Sequence, residues 1–232
     1  MNATKSFKTK AKNRILGFLH NSFSDYKAAR LLFLNGHDVQ ACFMANTSIE
    51  KLLKARLAFD DIEFKKNHDC NKLLTLVEEV SEFIKGKINR EFLKALLNIY
   101  LGRYLSDQKP GYNYTIVSRK FLAELDYTYD TIAHSLVFPN QNQMNLYSSE
   151  TNDPLILAHN YLLNGIDKTS FCERLDRVIE YRIMPNYEDL LMDYPTLKSK
   201  NDGKFMYESI IMDSTMNAAT TTHEPDLTGL SL

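Results

Sequence analysis

The stretch from Ala41 to Leu57, Ala-Cys-Phe-Met-Ala-Asn-Thr-Ser-Ile-Glu-Lys-Leu-Leu-Lys-Ala-Arg-Leu, limits the choice of fold more than any other part of the chain. Its apolar residues Ala41, Ala45, Ile49, Leu52, Leu53 and Leu57 recur mostly in steps of three and four, which places them on one face of an α-helix. The stretch has no Gly or Pro and is rich in good helix formers. Glu50 precedes Lys54 by four residues, the favoured order for an ion pair on a helix surface. Ala41, Cys42 and Ala45 are small enough to let a second helix come close. A helix that is small at one end and Leu-rich at the other belongs in the middle of a bundle.

The same period recurs on both sides. A first helix is expected over roughly 16–34, with Leu19, Phe23, Tyr26, Ala29 and Phe33 as its stripe and Asn35-Gly36 as its stop. Asp38 can cap the second helix, which continues to about Phe59, and the short link makes the pair an antiparallel hairpin. A third helix opens at Asp69 or Asn71 and buries Leu73, Leu74, Val77, Val80 and Ile84, with Glu78, Glu79 and Glu82 outside. A fourth runs from about Asn89 to Tyr104 on Phe92, Leu96 and Ile99, a line that Arg103 continues. Pro110-Gly111 places a loop over 105–113. A fifth helix runs from about Ser118 to Leu136 through Phe121, Leu122, Leu125, Ile132, Ala133 and Leu136. Eight Gly and six Pro in 232 residues, with little period-2 alternation, leave scant room for a sheet.

The fold class is therefore all-α: an antiparallel four- to five-helix bundle with a smaller helical C-terminal extension. We divide the chain into a mobile basic N-terminus (1–15), the bundle (16–137), a polar linker (138–154), the extension (155–212) and a disordered tail (213–232). Short helices are expected in the extension near 155–163 and 169–182, with a further turn over 187–192. The three cysteines are odd in number and unevenly spaced, which argues for a reducing cytosol and against a disulfide framework. A net charge of -1 supplies no long-range pull toward nucleic acid or anionic lipid, so any such contact needs a local patch. No window is long and apolar enough for a membrane span and no signal sequence is evident, so the expected location is cytoplasmic.

Several runs, in series, carry a family resemblance. They are Ser24-Asp25-Tyr26-Lys27-Ala28-Ala29-Arg30-Leu31-Leu32, Gly36-His37-Asp38-Val39-Gln40-Ala41, Ser48-Ile49-Glu50-Lys51-Leu52-Leu53-Lys54-Ala55 and His68-Asp69-Cys70-Asn71-Lys72-Leu73-Leu74. Over about 19–137 the chain resembles the HEPN domain (higher eukaryotes and prokaryotes nucleotide-binding), a bundle of four or five helices. The resemblance implies a homodimer, and as further partners a nucleotidyltransferase or another protein, a nucleotide or RNA. It also implies a setting in stress response or defence, as in toxin–antitoxin systems, and no cofactor. Toxin-like members are metal-independent ribonucleases that carry Arg, four to six residues, then His near the last bundle helix. Here Arg103-Tyr104-Leu105-Ser106-Asp107 stands at that place, and the positions due a histidine hold Gln108, Lys109 and Pro110. Arg14 to His20 and Arg30 to His37 have the bare spacing but belong to the first helix.

The leading expectation is thus a non-catalytic domain that dimerises and binds a nucleotide, a nucleic acid or a partner protein. The alternative is a metal-independent endoribonuclease in which Arg103 holds the scissile phosphate and some residue other than His moves the proton. Arg103, Tyr104 and Asp107 head the candidate ligand residues, because a guanidinium at a helix end can fork onto a phosphate. The plainer reading has Arg103 complementing the helix dipole and pairing with Asp107 or Glu50. Lys109 with Tyr112 offers a cation beside an aromatic on which a base can stack; such aromatics also anchor loops on a core. Glu50, Lys51 and Lys54 can reach a groove ligand or form an ordinary solvated helix face. His68-Asp69 can begin a metal or acid–base site, but no second ligand stands at i+3 or i+4, which disfavours zinc, and the plainer reading makes Asp69 a helix cap. No metal site is expected.

Overall fold

A computed structural model describes residues 9–64, 68–101, 113–136, 152–173, 178–183, 189–194 and 212–214. Helix α1 spans Thr9–Leu34 and α2 spans Asp38–Phe59. Their junction is a Schellman stop. Gly36 takes φ 82°, its N–H reaches Phe33 O at 3.1 Å, and the His37 N–H reaches Leu32 O at 2.8 Å. Glycine suits this left-handed position because it has no Cβ to clash. Asp38 does not cap: His37 holds the cap position without a side-chain bond, and Asp38 stands in the first turn, where its charge faces the positive end of the dipole. The α1 helix begins at Thr9, inside the segment expected to be a mobile terminus.

The hairpin is tight because small residues meet. The Ser22 hydroxyl donates to Ser48 O and the Ser48 hydroxyl to Ser22 O, both at 2.8 Å, so each helix closes the other's polar gap. Every predicted apolar position of α2, from Ala41 to Leu57, is fully buried. Helix α3 (Cys70–Val80) is capped by Asp69, whose carboxylate accepts from the N–H groups of Asn71 at 3.0 Å and Lys72 at 3.3 Å. Helix α4 (Arg90–Leu101) starts on Asn89, whose Oδ1 accepts from Glu91 and Phe92 N–H. Helix α5 (Ser118–His134) completes the bundle. Phe33 stacks on Phe121 with centroids 4.3 Å apart, and Phe92 meets the same ring edge-on at 6.1 Å.

The bundle matches the expected class, and two details of α3 depart from it. The helix ends at Val80, which is largely exposed, and Ile84 is buried from the turn that follows rather than from the helix. Glu78 leaves the expected acidic face to pair with Arg90 and to accept the Gly86 N–H at 3.1 Å.

The extension is corrected more substantially. Among the described residues helix forms at α6 (Pro154–Leu157) and α7 (Lys168–Glu173), which covers the start of the helix expected over 169–182. A strand takes that helix's end from Val178, and another replaces the turn expected over 187–192. Strands β1 (Asn113–Val117), β2 (Val178–Ile183), β3 (Asp189–Tyr194) and β4 (Met212–Ser214) form an antiparallel sheet in the order β3-β2-β1-β4. Asn113 faces Arg182 and Val117 faces Val178 in the central pair, and Ile116 faces Met212. The reason is local: Val178, Ile179, Tyr181 and Ile183 are β-branched or aromatic, and Glu180 and Arg182 alternate with the apolar residues, a period of two. The linker (138–154) falls mostly on residues outside the described ones, as does the tail beyond Ser214.

Candidate functional site

Three elements meet at one corner of the bundle: the middle of α2, the residue before the α3 cap, and the last turn of α4. Glu50 is nearly fully buried on α2, so it is not part of a solvated face. Its Oε1 accepts from Lys54, one turn on, as the spacing predicts. Its Oε2 lies 3.0 Å from His68 Nδ1. Lys51 turns the other way and reaches Asp25 of α1 at 2.6 Å. The His68 side chain keeps 62% of its surface exposed. Its ring lies 6.0 Å from that of Tyr100, tilted by 36°, and Tyr100 meets Phe43 edge-on at 6.4 Å.

Beneath this corner the groups are sealed. Cys70 and Asn46 are fully buried, and the Cys70 thiol lies 3.6 Å from both Asn46 O and Oδ1. The Asn46 amide nitrogen has no hydrogen-bond partner among the described residues. Burial, then the charge of Glu50, pushes the Cys70 thiol far above its ordinary range. Cys42 is raised in the same way, by burial and then Asp38. Neither thiol is therefore available as a thiolate. Among the described residues no three His, Cys, Asp or Glu side chains gather into a metal-holding group, and no helix is long and apolar enough to cross a membrane.

A family model described as HEPN domain matches residues 17–124. That stretch is a HEPN domain. No curated protein and no solved structure matches the chain. The HEPN match contains α2, α3, α4 and β1, with the whole Glu50–His68–Tyr100 corner, and it ends inside α5.

The predicted site residues divide sharply. The structure brings Glu50 and Lys54 together and directs Lys51 to Asp25. Arg103, Tyr104, Asp107, Lys109 and Tyr112 lie outside the described residues. Along the chain they follow directly on α4, whose last described residue is Leu101. Of the two Arg–His pairs with ribonuclease spacing, the second is disposed of by geometry. Arg30 is fully buried, and its Nη1 donates to Asp126 Oδ1 at 2.5 Å and Oδ2 at 2.6 Å. Its Nε reaches Leu155 O at 3.0 Å and its Nη2 reaches Ala158 O. A guanidinium so enclosed cannot hold a phosphate. Its partner by spacing, His37, is an exposed cap residue of α2.

This buried cluster escaped the sequence reading. The Tyr26 hydroxyl donates to Asp126 Oδ1 at 2.6 Å, completing a Tyr26–Asp126–Arg30 network between α1 and α5. Burial lifts the affinity of Asp126 for protons, while Arg30 and the Tyr26 hydroxyl oppose that lift. A signal existed: Arg30 sits on the stripe of Tyr26 and Phe33, and Asp126 on that of Leu122 and Tyr129. Opposite charges on the apolar faces of two helices are readable as a buried pair. His68 with Asp69 offered the start of a metal or acid–base site, and its separation of eighteen positions from Glu50 hid the contact.

Proposed function

We propose that this HEPN domain is a binding module for a phosphate-bearing ligand, a nucleotide or a nucleic acid. Its ligand surface is the corner of Glu50, Lys54, His68 and Tyr100 together with the chain that follows α4. One observation supports this best: Glu50 holds an exposed imidazole against an aromatic ring three residues before Arg103 in sequence. Aromatic and cationic groups side by side suit a nucleotide, with rings for the base and guanidinium and ammonium groups for phosphate. We infer further that the domain works as a homodimer and that a partner protein, such as a nucleotidyltransferase, docks on the assembled form. The setting implied by the family is stress response or defence.

The test is identification by mass spectrometry of nucleotides that co-purify with the full chain, followed by calorimetric titration. Arg103→Ala should weaken binding by about tenfold, the worth of one charged hydrogen-bond pair. Unchanged affinity would remove Arg103 from the site.

A second reading is a metal-independent endoribonuclease, and one observation favours it. A histidine whose Nδ1 is held by a carboxylate is an orientation suited to a general base. In that reading Arg103 holds the scissile phosphate and His68 takes the proton of the 2′-hydroxyl. RNA incubated with the protein in chelator separates the two. The binding reading expects no cleavage above background. Cleavage that falls by about a hundredfold or more in both His68→Gln and Arg103→Ala would establish the enzyme instead.

A further inference from the structure

The Glu50 carboxylate can only accept hydrogen bonds, so the His68 nitrogen at 3.0 Å, Nδ1, is the one that carries the proton. In the neutral ring Nε2 is then a lone-pair acceptor, and it has no partner among the described residues. Lys54 occupies the other Glu50 oxygen, so the two carboxylate oxygens are divided between the ammonium and the imidazole. The imidazole is thus fixed both in place and in tautomer, while 62% of the side chain remains exposed. Tyr100 flanks it at 6.0 Å and is itself braced by Phe43. Two aromatic rings and one oriented acceptor share a single surface.

We propose that the His68–Tyr100 corner is a nucleobase subsite that selects bases with an amino group on their edge, with Nε2 as the selecting atom. The inference rests on the nucleotide- or nucleic-acid-binding reading above and adds a preference to it. Stacking on His68 and Tyr100 tolerates any base, because every base has a π-face. The acceptor does not: an exocyclic N–H₂ donates to Nε2, whereas a carbonyl oxygen in the same place sets one lone pair against another. Adenine and hypoxanthine are the direct comparison, nearly equal in size and opposite in hydrogen-bonding sense at that edge.

The full chain is titrated at a pH of about 8, where an ordinary histidine is neutral, with AMP and IMP and separately with short single-stranded oligomers of A and of I. The mononucleotide and oligomer arms distinguish a free nucleotide from a base within a strand. The expected result is about tenfold tighter binding of the adenine ligand in at least one arm, the size of one hydrogen bond gained against one repulsion. His68→Phe keeps a stacking ring and should bring the two ligands to within about twofold of each other. Tyr100→Ala should weaken both while leaving their ratio standing. Equal affinity for both ligands in the wild type, or a ratio unmoved by His68→Phe, overturns the selective subsite and leaves nucleotide binding intact. Failure of all four ligands to bind sinks the subsite and the binding reading together.

Discussion

Arg30 shows how far the meaning of one residue depends on its depth. At the surface its spacing to His37 would fit a ribonuclease signature; in the core its guanidinium is taken up by structural bonds. It joins α1 to Asp126 of α5 and to the carbonyl groups of Leu155 and Ala158. Removing one partner leaves a buried charge without compensation. Asp126→Ala should therefore cost on the order of 3–5 kcal/mol in urea unfolding. Replacing both charges by apolar residues of similar size, Arg30→Met with Asp126→Leu, should recover most of that loss. A double variant as unstable as the single one would show that the network matters for more than charge compensation. The pair lay open in the sequence as two charged residues on apolar stripes, but no spacing rule connects position 30 to position 126. Asp69 is the opposite case, since its role is local. Its carboxylate serves the first N–H groups of α3, as the His-Asp start suggested. Asp69→Ala should cost about 1 kcal/mol, read from the same unfolding curves.

Among the elements, the bundle helices were legible because their stripes are long and their stops chemical. Asn35-Gly36 closes α1 and Asp69 opens α3, and both signals lie within a few residues of the boundary they mark. The extension was less legible because its elements are short. α6 and α7 are helices of one or two turns, held by tertiary bonds rather than by their own propensity. Lys27 reaches Asp153 at 2.7 Å, Lys168 pairs with Glu124, and Phe171 is buried against Tyr161 and beneath Arg119. The hydrogen bond from Lys27, then that from the Leu155 N–H, holds the Asp153 carboxyl below its usual range. A carboxylate depressed in the folded state stabilises at pH above its unfolded value. That contribution is lost as pH falls through the lower folded value. Hydrogen-exchange protection of α6 should therefore be full at neutral pH and fade below a pH of about 4, the ordinary carboxylate range. Asp153→Asn should show the weakened protection already at neutral pH. Protection that is flat across that range would mean that Lys27 and the cap contribute nothing to holding α6.

For the molecule as a whole, the HEPN match stops at Glu124 while the core does not. Tyr129, Ile132, Ile156, Tyr161 and Phe171 all belong to the same buried cluster as the apolar face of α2. A chain cut after residue 137 loses the carbonyl partners of Arg30 and uncovers its ion pair. It should unfold at a clearly lower urea concentration than the full chain, by several kcal/mol in stability. An unchanged midpoint would make the extension an ornament on a self-sufficient bundle. What the sequence determined alone was what acts at short range: the helical class, the α2 stripe, the Asn35-Gly36 stop, the Asp69 cap and the Glu50–Lys54 pair. Helical period and capping act within a few residues, so the sequence carries them without reference to the rest of the fold. The tertiary structure decided which distant residues meet. It buried Arg30 against Asp126, set His68 on Glu50 beside Tyr100, and paired β1 with β2 across more than sixty positions. Such contacts depend on where the helices pack, and packing is settled by the sum of all the stripes rather than by any one of them.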